Sequence, residues 1–89
     1  MVRITVLYRP DSEHARDVEM FIHDYQRQHG ETKIEVLNLD QRDGAATASL
    51  YDVMQYPAIL ALRDDGSAAN IWQGQTLPLM DEVAAFAFG

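Results

Sequence analysis

Residues Tyr56-Pro57-Ala58-Ile59-Leu60-Ala61-Leu62 decide the architecture of this chain. Five consecutive apolar residues after a proline make a strand too uniformly apolar to leave either face in water. A strand buried on both faces needs a layer of helix on each side. The segment therefore predicts a three-layer α/β domain with an inner strand at 58–62. Downstream, Asp64-Asp65-Gly66 is a hairpin turn signal that returns the chain into an edge strand from about Ala68 to Gln73. Upstream, a short helix is expected from about Gly44 to Met54, with Ala48, Leu50, Tyr51 and Val53 as its more apolar positions.

The N-terminal half reads as a βαβ unit. Val2 to Tyr8 is rich in β-branched residues and stops at Arg9-Pro10, as a strand halted by proline does. Asp11 or Ser12 caps the helix predicted over 12–29, where Ala15, Val18, Phe21, Ile22 and Tyr25 form one buried stripe. Gly30 closes it. Lys33 to Leu39 is a second strand, parallel to the first through a right-handed crossover. At the far end, Thr76 caps a final helix running to about Ala87, with Leu79, Val83 and Phe86 on one face. The whole order is β-α-β-α-β-β-α on a four-stranded mixed sheet.

A chain of 89 residues has room for one domain, 1–89, and buries roughly 60–65% of its unfolded surface without metal or disulfide staples. Fourteen acidic against seven basic residues leave a net charge of −7, which argues against nucleic-acid or anionic-membrane partners. No stretch approaches the ~20 apolar residues of a membrane helix. Met1 leads directly into a strand-like segment without the basic region and apolar run of a signal peptide, so a cytoplasmic location is expected.

Four stretches, taken in order, resemble the thioredoxin superfamily. Leu37-Asn38-Leu39-Asp40-Gln41 is similar to the thioredoxin strand that follows the active-site helix. Tyr51-x-Val53 followed by Tyr56-Pro57-Ala58 is similar to the segment leading into the family's cis-proline, and Leu60 to Gly66 resembles the strand and turn after it. Leu7-Tyr8-Arg9-Pro10-Asp11-Ser12 is similar to glutaredoxins and to the N-terminal domain of glutathione transferases. The resemblance implies a thioredoxin-like fold over the whole chain and a cis Tyr56–Pro57 bond.

It also marks what is missing. Redox members carry cysteine at the position of Ser12, usually with a second at Ala15, whereas this chain has no cysteine. A thiol at a helix N-terminus is acidified into a nucleophile by the helix dipole and the unpaired N–H groups. A serine hydroxyl gains too little there to ionise near neutral pH and cannot form a mixed disulfide. Val6 stands where thioredoxins keep a buried acidic residue. Dithiol chemistry is excluded.

The expectation is therefore a non-redox binding or assembly module, without catalysis or cofactor. Its groove lies between the first-helix N-terminus and the proline turn, at Asp11, Ser12, Tyr56, Pro57 and Ala58. Backbone groups beside Pro57 would pair with a protein or peptide partner as with an added strand. The rival is a glutathione-binding, transferase-like domain in which Ser12 activates the ligand thiol. Only Arg9 and Arg16 stand near that groove to hold glutathione carboxylates, so weak binding is expected. A third reading is a redox enzyme inactivated by engineering.

Other features carry ordinary structural readings. His14, His23 and His29 lack metal-ligand spacing and read as solvated helix residues. Asp64-Asp65 reads as turn chemistry. Trp72 on the edge strand reads as cover for the core under the last helix or as an exposed anchor for a partner. Asp11, Glu13, Asp17, Glu19 and Asp24 crowd the first helix; those in its first turn suit the dipole, and the rest read as a solvated face. An edge strand leaves a monomer or a weak homo-oligomer open.

Overall fold

The computed structural model describes residues 2–30, 34–74 and 77–88, with side chains to Phe86. The chain runs β1 (Arg3–Tyr8), α1 (Ala15–Gln28), β2 (Ile34–Asn38), α2 (Arg42–Leu50), β3 (Ala58–Leu62), β4 (Ala68–Gln73) and α3 (Met80–Phe88). The strands form one sheet in the order β2-β1-β3-β4. β1 runs parallel to β2, with Ile4 opposite Ile34 and Tyr8 opposite Asn38. It runs antiparallel to β3, which in turn pairs antiparallel with β4. A parallel neighbour requires a long crossover, and α1 supplies it.

β3 is buried at every residue, as the unbroken apolar run requires. On one face Ile4, Val6, Tyr8, Ile59 and Ala61 pack against Ala15, Val18 and Tyr25 of α1 and Val83 and Ala84 of α3. On the other, Leu7, Ala58, Leu60 and Leu62 pack against Leu39, Ala48 and Val53. The sheet thus has α1 and α3 on one side and α2 on the other. Trp72 of β4 packs on the first core and meets the Phe86 ring edge-on, with centroids 5.4 Å apart.

The helix ends differ from the sequence reading. α1 starts at Ala15, three residues beyond Ser12, because the intervening residues form turns. The His29 N–H reaches back to the Tyr25 carbonyl, and Gly30 follows without the left-handed backbone of a glycine stop. α2 begins at Arg42, and Gly44, expected at its start, is buried within it against the end of β2. It ends at Leu50, where Asp52 takes a left-handed φ of 55° and the chain leaves the helical path. Leu50, the last helical residue, points to water at 74% exposure, while Val53, beyond the helix, still reaches the core. Leu79 is 70% exposed because it precedes α3, its N–H donating to the Glu82 carboxylate 3.2 Å away. The Thr76 cap and the Lys33 strand start lie outside the described residues.

The β3–β4 hairpin closes through Arg63 N–H to the Ser67 carbonyl at 2.8 Å, with Gly66 at φ 89°. A positive φ at this position suits a residue without a Cβ. Asp65 accepts from both the backbone N–H and the hydroxyl of Ser67, and those bonds hold its carboxyl below the usual aspartate range. The Tyr51 hydroxyl donates to the Gly66 carbonyl, tying the end of α2 to this turn. No helix among the described residues is long and apolar enough to cross a membrane.

Candidate functional site

The first wall of the site is the connection from β1 to α1. Pro10 takes the second position of a turn closed by the Ser12 N–H donating to the Arg9 carbonyl at 3.1 Å, a place that suits its fixed φ. The Ser12 hydroxyl donates to the same carbonyl. Ser12 is therefore a turn residue and not the helix cap. His14 occupies the cap position with helical backbone angles and no capping side-chain bond. The hydroxyl proton that a bound thiol or a nucleophilic mechanism would need is engaged within the turn. His14 does not relieve it, because its Nε2 accepts the Arg9 N–H at 3.3 Å.

The second wall is the segment before β3. The Tyr56–Pro57 peptide is cis. Gly74 N–H donates to the Pro57 carbonyl at 3.1 Å, and the Gln73 side-chain oxygen accepts from the N–H groups of Met54 and Gln55 at 2.9 and 3.1 Å. β4 thus anchors both sides of Tyr56. The backbone N–H and C=O of Tyr56 itself have no hydrogen-bond partner among the described residues. Its hydroxyl donates to the Val53 carbonyl at 3.3 Å.

Between the walls lies an open depression of about 540 Å³ lined by Arg9, Ser12, Glu13, His14, Asp17 and Tyr56. Arg9 joins its sides. The Arg9 guanidinium sits 5.4 Å from the centre of the Tyr56 ring, and Nε lies 3.1 Å from Asp40. Beneath His14, Tyr8 donates to Glu19 at 2.9 Å, and burial together with that carboxylate pushes its phenol above the ordinary range.

Of the predicted groove residues, Ser12 and Tyr56 line the depression. Asp11 is exposed outside it. Pro57 and Ala58 are buried behind it, since they begin the inner strand and belong to the core. Of the two arginines expected near the groove, Arg9 lines it and Arg16 does not; sequence reasoning missed Glu13, His14 and Asp17 as wall residues. The available signal was the four-residue spacing of Glu13 and Asp17 at the entry to α1. Only His23 of the three histidines is exposed; His14 and His29 are half-buried, His29 with its ring 4.9 Å from that of Tyr25. Among the described residues no three His, Asp or Glu side chains gather as a metal site.

No protein-family model and no curated protein matches this sequence. Solved structures do match its fold. Malaria parasite thioredoxin-2, described as a component of the parasite's protein secretion machinery, superposes with a TM-score of 0.78 at 14% identity, covering 98% of this chain and 82% of that one. A malarial protein gives 0.76 at 12% identity, with 98% and 93% covered. Fasciola hepatica thioredoxin gives 0.72 at 13% identity, with 94% and 75% covered. The fold is that of thioredoxin, here carried by a chain without cysteine.

Proposed function

We propose that this domain is a non-redox binding module that accepts an extended peptide segment in the depression between the Arg9–His14 turns and Tyr56. The carrying observation is the pair of unused backbone groups on Tyr56, held in place by β4 on either side. A donor and an acceptor on one residue match the two groups that an extended strand offers at alternate residues. The engaged Ser12 hydroxyl supports binding without catalysis. Arg9 is drawn to Asp40 and Tyr56, which leaves little to grip glutathione carboxylates. A cytoplasmic setting goes with this reading.

Selection of dodecapeptides from a random library, followed by amide shift mapping, tests it. Shifts centred on Tyr56, Arg9 and Ser12 are expected. Shifts confined to another surface would remove the proposal. Glutathione binding tighter than about 0.1 mM, near −5.5 kcal/mol, would favour the transferase-like alternative instead.

A further inference from the structure

Resting on that reading, we infer that the segment accepted by the depression is cationic, with lysine or arginine side chains directed at Glu13 and Asp17. The wall carries an uncompensated negative charge. Its positive group, Arg9, is matched by Asp40 at 3.1 Å and by the ring of Tyr56. Glu13 and Asp17 line the same depression, and neither has an ion-pair or hydrogen-bond partner among the described residues.

Two unpaired carboxylates on one wall repel each other, and a cation between them relieves that repulsion. The unused N–H and C=O of Tyr56 place the peptide backbone on the opposite wall. Side chains of an extended peptide alternate in direction, so every second one faces the carboxylates. The net charge of −7 adds a long-range field that steers the same class of partner. Charge thus selects the occupant, and the Tyr56 backbone supplies its seat.

Three amidated, acetylated octapeptides test this by amide shift titration of the full chain. Each alternates threonine with a second residue: lysine, glutamine or glutamate. The lysine peptide should bind at Tyr56 and Glu13, followed by glutamine, with glutamate weakest. Glu13→Gln with Asp17→Asn should weaken the lysine peptide by about fivefold, as expected for two exposed ion pairs. It should leave the glutamine peptide unchanged and flatten the salt dependence. Glu35→Gln with Asp81→Asn makes the same change of net charge away from the depression and should have little effect. Equal binding of all three peptides at Tyr56 would overturn the cation preference while leaving the groove reading intact. Equal loss in the distant double variant would reduce the effect to net charge and overturn the assignment to Glu13 and Asp17. Failure of all three to perturb Tyr56 would overturn both readings.

Discussion

The carbonyl oxygen of Asn38 occupies the place where a side chain on Gly44 would begin. A Cβ added at Gly44 would lie 2.1 Å from that oxygen and 2.6 Å from its carbon. Both are backbone atoms at the end of β2, so neither can swing aside. This close seat of helix on strand explains a glycine inside α2, where helix propensity alone disfavours it.

Gly44→Ala should accordingly destabilise the domain. Alanine gains about 1 kcal/mol of helix propensity, but forced overpacking against backbone costs typically 1–3 kcal/mol and at times more. Urea unfolding should show a lower midpoint. A midpoint equal to or above that of the parent would mean that α2 shifts freely on the sheet.

Thr5→Val should stabilise it. Thr5 lies in β1 at 1% exposure, and its hydroxyl has no hydrogen-bond partner among the described residues. Removing a buried unmatched hydroxyl while keeping the branched shape should gain about 1 kcal/mol. The urea midpoint should rise at unchanged slope. No rise would indicate a bridging water at Oγ1.

Two leucines in apolar runs should behave oppositely. Leu60→Ala empties a fully buried site in β3 and should cost about 2–5 kcal/mol. Leu50→Ala alters a side chain that is 74% exposed and should stay within about 0.5 kcal/mol. A large loss at Leu50 in thermal or urea unfolding would contradict its exposure at the end of α2.

Ser12→Cys with Ala15→Cys should restore a closable pair. The Ala15 N–H bonds to the Ser12 carbonyl at 3.2 Å, so the two positions are one turn apart, compatible with the ~4.4–6.8 Å Cα separation that a disulfide tolerates. In the reduced variant, alkylation should reach position 12 first, since Ala15 is only 7% exposed. The unaltered chain should match the protein-free blank in insulin reduction with dithiothreitol. Failure to oxidise while folded would argue that the positions are not equivalent to the redox pair.

What could be read in advance follows a physical line. The run at 58–62 has no polar alternation, and burial on both faces leaves it no other role, so β3 emerged with the expected ends. The Asp64-Asp65-Gly66 turn was equally legible, because a positive φ falls to glycine. Helix ends were not. Ser12 has the chemistry of a cap, yet its hydroxyl is engaged by the Arg9 carbonyl, a contact created by the turn at Pro10. Leu50, the last residue of α2, and Leu79, just before α3, fit the apolar patterns but face solvent at the helix ends. At the site, Tyr56 and Ser12 were visible through resemblance. Arg9 was expected near it, but Glu13, His14 and Asp17 join it in one depression only because of how the connection folds.

The serine in the first turn has a final implication. Its hydroxyl closes the turn with a hydrogen bond whose donor has no accessible oxidation state. A thiol there would alternate between free and bridged forms as glutathione poise changed, and the neighbouring wall would alternate with it. This wall has one covalent form. Association through it would follow partner concentration and ionic strength, equally in reducing and oxidising surroundings.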